Sequence, residues 1–266
     1  MPQTFSQYFK LNKSQLELDF VDIIIDGRDN AFFIDPFVIS NISDDWSISA
    51  NNKISVFFEK VIHYIKSGND QKARKMLDGF HEPKETRFGF SINSANGRSV
   101  SGEKSGKIFE ALSNSKVIKS GLIKHIEETQ LMIEGIGEDN ISDIVTMIIK
   151  DLLVEYTNSQ CKLHSIEVKK EVAGGQFWNE NNEIWTDEYV TLPIINNKQI
   201  ILVPKKVAKF AMSINAQEYH DFYTLTYLQK KYENPALGLA RILQNGTIKV
   251  YKKDIKEKKL DRKSVV

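Results

Sequence analysis

An apolar stripe that continues for about five helical turns constrains the fold of this chain more than any other feature. Between residues 141 and 156, apolar side chains recur at steps of three and four, the spacing that places them on one face of an α-helix. The stripe consists of Ile141, Ile144, Val145, Ile148, Ile149, Leu152, Leu153 and Tyr156. The pattern predicts one long helix with a buried face, against which other elements must pack.

β-rich runs and a further amphipathic segment surround this helix in the sequence. The runs "DFVDIIIDG" and "AFFIDPF" flank turn-forming residues and predict an N-terminal hairpin, and "YVTLPIINNKQIILVP" predicts a mid-chain hairpin around Asn196-Asn197. Apolar spacing predicts another helix over residues 53–66. The expected class is α+β, predominantly helical, with small antiparallel sheets. We place a main α+β domain at residues 1–204 and a helical segment with a basic tail at 205–266.

Composition limits the class of protein. With 41% hydrophobic and 27% charged residues, the chain can bury a sizeable core. No run approaches the roughly 18 consecutive apolar residues of a membrane span, and the N-terminus lacks the apolar stretch of a signal peptide. A single cysteine, Cys161, excludes an intramolecular disulfide and suits a reducing compartment. These features predict a cytoplasmic protein that has no membrane partner.

Carboxylates gather where the long helix begins, in "EGIGEDNISD". The side of the helix opposite the apolar stripe carries Asp139, Asp143, Met147 and Lys150. In one interpretation Asp139 and Asp143 bind Mg²⁺, and Asp35 and Glu134 complete a catalytic set of four acidic residues. In the other, Asn140 caps the helix and the acidic side chains stabilise its first turn. The sequence leaves both interpretations open.

Two segments have the composition of phosphate-binding sites. The stretch "GFSINSANGRSVSGEKSGKIFEAL" is rich in small residues ahead of a helix, which suits an anion, although it lacks the GxxxxGK[ST] pattern. From Lys249 to Lys263 the chain has eight basic and three acidic residues, so the remainder carries a net charge of about −4. Each segment has a second interpretation, as a flexible loop with a helix cap and as a solvated basic helix. The phosphate-binding candidates are Arg98, Lys104, Lys107, Lys252 and Lys253.

Two further patterns bear on nucleic acid. Residues 167–169, Glu-Val-Lys, match the ExK half of the PD-(D/E)XK nuclease signature, in which the carboxylate binds Mg²⁺ and the lysine stabilises developing charge. Such triplets are common by chance in a lysine-rich chain. Trp178 and Trp185 are expected to pack in the core, and if exposed beside Lys205 and Lys206 they would stack on bases.

Three stretches together resemble a widespread group of bacterial proteins: "NAFFIDPF", "EGIGEDNISDIVTMIIKDLLVEYT" and "YVTLPIINNKQIILVPKKV". That group has an "FIDP" strand end, a GIGxDxISD helix start and an "LLVP" strand in the same order, and the last is "ILVP" here. The resemblance covers roughly residues 5 to 260, and the GIGxDxISD stretch is its specific part. Longer members of the group carry a C-terminal PD-(D/E)XK nuclease domain and are associated with defence against mobile elements.

The resemblance and the residues lead to two expectations for function. The first is a recognition or assembly subunit of a bacterial anti-phage or mobile-element defence complex, which contacts nucleic acid or a partner protein. The alternative is a Mg²⁺-dependent nuclease or phosphodiesterase that uses the acidic residues at the start of the central helix. Whether the chain is an enzyme therefore stays open at this point.

Overall fold

The computed structural model describes residues 3–26, 29–89, 101–114, 138–210, 241–242 and 248–249. The chain forms two compact units, Met1–Lys209 and Phe210–Val266. The predicted domain boundary between residues 204 and 205 stays a prediction.

Seven α-helices and eight strands lie within the described residues. The helices are α1 (Phe5–Tyr8), α2 (Pro36–Ser40), α3 (Asp45–Lys66), α4 (Asp70–Leu77), α5 (Ser101–Asn114), α6 (Glu138–Ile148) and α7 (Lys150–Leu163), and a 3₁₀ turn spans Lys84–Thr86. The strands are β1 (Phe32–Ile34), β2 (Lys169–Asn179), β3 (Ile184–Leu192), β4 (Ile194–Ile195), β5 (Lys198–Gln199), β6 (Ala208–Phe210), β7 (Arg241–Ile242) and β8 (Ile248–Lys249). They form two-stranded sheets, so the predicted α+β class is confirmed.

The mid-chain hairpin forms where the sequence predicts it. β4 pairs antiparallel with β5, and Asn196 and Asn197 between them have φ angles of 50° and 61°. These are the left-handed values that a tight hairpin turn requires and that asparagine tolerates. In the C-terminal unit, β7 pairs antiparallel with β8.

The N-terminal strand finds a different partner from the one predicted. β1 pairs with β6, far along the chain, instead of with the apolar run before it. That run contributes isolated antiparallel bridges, from Phe20 to Pro204 and from Ile24 to Thr4. The apolar side chains at 20, 21, 23 and 25 are all buried, so this segment serves the core in an irregular conformation.

The long central helix is interrupted at Ile149, which separates α6 from α7. Hydrogen bonds from Ile149 N–H to the Val145 carbonyl and from Leu153 N–H to the Ile149 carbonyl, both 3.0 Å, keep the two helices nearly continuous. α6 packs against β1, α3 and β2. Met147 and Lys150 are both buried, so the side of the helix opposite the apolar stripe is also enclosed at these two positions.

The β2–β3 hairpin packs its tryptophans against α3. Trp178 lies opposite Trp185 in the register, with ring centroids 5.3 Å apart, and the ring of Phe57 lies 4.8 Å from that of Trp178. The indole N–H of Trp185 donates to the Met76 carbonyl at 2.7 Å. The expectation that both tryptophans pack is confirmed, which removes them as base-stacking residues. No described helix combines the length and the apolar character that a membrane crossing requires.

Candidate functional site

Asp35, a predicted catalytic residue, lies where β1 passes into α2 and is only 2% exposed. Its Oδ1 accepts the N–H of Phe37 at 2.8 Å, and Pro36 occupies the first turn, so the carboxylate is the N-cap of α2. Its Oδ2 forms an ion pair with the ammonium of Lys209. Both oxygens thus have partners within the chain. Asp35 performs a capping and pairing role in this arrangement.

The three motif stretches meet at β1. The N–H of Ile34 donates to the hydroxyl of Ser142, which lies in the GIGxDxISD stretch, at 2.8 Å. The N–H of Asp35 donates to the Val207 carbonyl at 3.3 Å, just before β6. We call Ile34, Asp35, Ser142 and Lys209 the motif junction. Each of the three stretches thus supplies one side of the same set of polar contacts.

The remaining acidic candidates lie on α6 or outside the described residues. Asp139 and Asp143 are one turn apart on this helix, as predicted. Asp143 is half-buried and interacts with another residue, whereas the side chain of Asp139 and all of Glu134 lie outside the description. Asn140 lies within the helix, which already includes Glu138, so the predicted cap at Asn140 is wrong.

The predicted magnesium site stays a prediction. Within the described ranges, no three or more His, Cys, Asp or Glu side chains are grouped so that they could hold a metal ion. Glu167 and Lys169 of the ExK triplet are both exposed, and Glu167 precedes β2 instead of lying on it. The strand position that the nuclease signature needs for its carboxylate is therefore not present at Glu167.

The predicted phosphate-binding cations are placed only in part. Lys107 lies on α5, exposed and interacting with another residue. Lys104 belongs to the same helix, but its side chain is not described, and Arg98, Lys252 and Lys253 lie outside the described residues. Two other lysines, at the end of the third motif stretch, also have partners within the chain. Lys205 donates to the Leu16 carbonyl at 3.2 Å, and Lys206 pairs with Asp44 at 2.6 Å.

A buried lysine that was not among the predicted site residues forms the second notable site. Lys150 begins α7 directly after the interruption and is 1% exposed. Its ammonium donates to Glu85 Oε1 at 2.9 Å and to the Gly174 carbonyl at 2.6 Å, and it lies 5.0 Å from the centroid of the Phe177 ring. A buried ammonium needs such partners, because an unpaired charge in the interior is very costly. We call Lys150, Glu85, Gly174 and Phe177 the lysine site.

Two glycines shape β2 around this ammonium. A Cβ at Gly174 would lie 2.8 Å from the Phe177 ring and 2.9 Å from a Val190 methyl group, so a side chain there would force these neighbours to shift. Gly175 has a φ of +69°, a conformation that favours glycine. The register of the hairpin shifts between Ala173 and Gly175. Consecutive glycines inside a strand indicate a bulge or a close approach, and this was the available signal for the site.

The lysine site ties three elements of the first unit. Glu85 lies in the 3₁₀ turn, and its carbonyl also accepts the N–H of Ile201 at 2.9 Å. Arg87, two residues after Glu85, adopts a left-handed conformation, and its guanidinium donates to the Ile25 carbonyl at 3.2 Å. The Lys150–Glu85 ion pair and these hydrogen bonds hold the 3₁₀ turn in place between α7, β2 and the segment before β6. Because Lys150 is enclosed, the arrangement connects these elements and does not present the ammonium to a substrate.

Titratable groups elsewhere in the first unit are tuned by packing and ion pairs. Burial raises the pKa of the Cys161 thiol to about 12, which makes it a poor nucleophile at neutral pH. Burial also raises the pKa of Tyr156, and Asp19 adds to this effect. The Lys206 ammonium lowers the pKa of Asp44 to about 2. None of these groups belongs to the motif junction or the lysine site.

The fold and these sites define an α+β protein in which polar contacts of Ile34 and Asp35 connect β1 to Ser142 on α6 and to Lys209 on β6. A family model described as "Domain of unknown function (DUF8370)" matches residues 10–215, and the chain belongs to this family. The match includes the motif junction and the lysine site. No curated protein and no solved structure matches the chain.

Proposed function

We propose that this protein is a recognition or assembly subunit of a cytoplasmic bacterial complex that acts against phages or mobile elements. The observation that carries the proposal is the state of Asp35. Both of its carboxylate oxygens are engaged, by the Phe37 N–H and by Lys209. A residue of the shared motif therefore maintains the fold, and this supports a role in which the protein binds instead of catalyses.

Large apolar side chains at the surface support the binding role. Among the described residues, the aromatic side chains of Tyr8, Phe37 and Tyr189 are exposed. Aromatic side chains are enriched in the buried centres of protein interfaces, where they supply a large contact area at low cost in conformational entropy. Such side chains would supply contacts to a partner protein, and contact with nucleic acid would involve the predicted cations Arg98, Lys104, Lys107, Lys252 and Lys253.

The competing function is a Mg²⁺-dependent nuclease that uses α6. The spacing of Asp139 and Asp143, one turn apart on this helix, is the feature that favours it. Purified protein is incubated with labelled DNA and RNA, with and without Mg²⁺, and compared with Asp143→Ala. The control is Asp187→Ala, which removes an exposed carboxylate on β3.

The proposal expects no Mg²⁺-dependent cleavage by any of the three proteins. Cleavage by the wild type and by Asp187→Ala, together with its loss in Asp143→Ala, would refute the proposal and establish the nuclease. Nucleic-acid binding is measured in the same samples as salt is raised, with and without residues 249–266. Electrostatic contact predicts that affinity falls with salt and on truncation, and binding that ignores both would exclude the basic tail as a contact.

A further inference from the structure

We infer that the outer edge of β3 is a docking site to which an extended basic segment of a partner protein adds as a third strand. β3 pairs with β2 along its inner edge. Beyond that pairing, no backbone hydrogen bond joins residues 184–192 to any other residue that the structure describes. An unpaired edge presents N–H and C=O groups that can accept an added strand.

The opposite edge of the hairpin is less available. The side-chain amide of Gln199 donates to the Ala173 carbonyl on β2 at 3.0 Å. This contact places β5 beside β2 and covers part of that edge. Strand addition is therefore directed to β3, which packs against α4 and α7 but whose backbone accepts no hydrogen bond from these or other described elements besides β2.

Tyr189 marks the centre of the proposed surface. It is 77% exposed, more than any other large apolar side chain that the structure describes. In the hairpin register it lies opposite Ala173, whose methyl group is too small to cover a phenol ring. In an added strand, a side chain next to Tyr189 would cover this ring. The ring would then pack against the partner, whereas Ala173 leaves it uncovered within the chain.

Charge next to Tyr189 identifies the kind of segment that fits. Asp187 lies on the same face of the strand as Tyr189, and Glu188 lies on the other, so both faces carry a carboxylate. Glu188 accepts a hydrogen bond from Thr186 at 3.3 Å, and neither acid has an ion-pair partner among the described residues. Oppositely charged cross-strand pairs are favourable, so the partner segment carries Lys or Arg beside an apolar residue.

A second copy of this chain fits the same edge poorly. Pairing β3 with its counterpart would gather four carboxylates, Asp187 and Glu188 from each copy, along one shared edge. Like charges near one another across strands are destabilising. The charge pattern therefore favours a different protein over self-association.

The test uses the full chain and a phage-displayed library of random dodecapeptides. Selection on the wild type, with counter-selection on the triple variant Asp187→Lys, Glu188→Lys and Tyr189→Lys, is expected to enrich peptides that alternate apolar and basic residues. The best synthetic peptide is expected to bind Tyr189→Ala at least about tenfold more weakly than the wild type. Leu163→Ala is the matched control, because Leu163 is another exposed apolar residue, at the end of α7. Its affinity should equal that of the wild type.

Backbone methylation separates strand addition from other binding modes. Methylating alternate peptide nitrogens of one parity should abolish binding, and methylating those of the other parity should preserve it, because successive N–H groups of an added strand point to opposite sides. Equal effects of both sets would overturn the inference, and so would a failure to enrich peptides, enrichment of acidic peptides, or equal binding to Tyr189→Ala. Dimerisation of the wild type that the triple variant abolishes would assign the edge to a second copy and overturn the proposed partner. Circular dichroism and melting confirm that each variant is folded, and Asp187→Asn provides a milder test of the charge.

This inference rests on the proposed function, since it names the kind of partner that a recognition subunit would bind. The two fail separately. Mg²⁺-dependent cleavage that is lost in Asp143→Ala refutes the proposed function whatever the peptides show. An empty peptide selection without cleavage refutes the β3 site and leaves the recognition role standing.

Discussion

Replacing Lys150 with methionine tests whether the lysine site holds the first unit together. Methionine keeps most of the length and the apolar character of the side chain but removes the ammonium. The Gly174 carbonyl then loses its 2.6 Å hydrogen bond, and Glu85 loses its 2.9 Å partner. The variant therefore removes the charge with little change in volume.

The magnitude follows from the burial of each partner. Removing one member of a fully buried ion pair costs about 3–5 kcal/mol, because the other charge remains unpaired. The Glu85 side chain is 21% exposed, so water recovers part of that cost. An unsatisfied buried carbonyl adds about 1–3 kcal/mol. Lys150→Met is therefore expected to lower the free energy of unfolding by about 2–4 kcal/mol.

Urea unfolding followed by tryptophan fluorescence measures the change, since Trp178 and Trp185 lie in the hairpin that carries the site. The double variant Lys150→Met/Glu85→Gln should recover about 1 kcal/mol, because it removes the unpaired charge as well. Lys206→Met is the control. Its ion pair with Asp44 is exposed on both sides and should contribute below about 1 kcal/mol. A loss in Lys150→Met no larger than in this control would refute the reasoning.

Three further results are expected. Lys206 lowers the folded pKa of Asp44 from 3.8 to about 2, so this carboxylate stabilises the fold above its unfolded pKa, and the contribution disappears as pH falls through that range. Urea titrations between those pH values should therefore show a smaller loss of stability in Asp44→Asn than in the wild type, and equal slopes would contradict the assignment. Gly174→Ala should destabilise the protein by about 1–3 kcal/mol, because the new methyl group would clash with the Phe177 ring. Denaturant unfolding that matches the wild type would show that the strand can move aside. Cys161 should react with a thiol reagent at least about a hundredfold more slowly in the native protein than in urea, because the thiol is buried and its pKa is raised to about 12. Comparable rates would show that the thiol is accessible.

Local signals in the sequence predicted local structure well. Apolar spacing over residues 53–66 predicted a helix that the structure contains within α3, and its stripe residues Ile54, Phe57 and Val61 are buried. The two asparagines at 196 and 197 predicted a tight turn, since few other residues adopt left-handed backbone angles. In both cases the cause lies within a few residues of the effect, so one stretch of sequence contains the information.

Features that depend on distant partners were not accessible in the same way. The sequence around β1 contains no signal that this strand pairs with β6. The helical wheel treated residues 141–156 as having one buried side, whereas α6 is enclosed by β1, α3 and β2 and therefore buries Met147 as well. Asp35 lies in the first motif stretch, but the sequence alone does not distinguish a carboxylate that binds a metal ion from one that caps a helix.

The pairing of β1 with β6 has a consequence for synthesis on the ribosome. Translation runs from the N-terminus, so β1 emerges early and its partner strand emerges only after nearly the whole first unit. Until then the nascent chain exposes an unpaired strand edge, and the Asp35 carboxylate lacks its ion-pair partner Lys209. A truncated protein that ends before Ala208 therefore cannot form the β1–β6 pair. Chaperones and proteases would recognise its unpaired strand as incomplete folding.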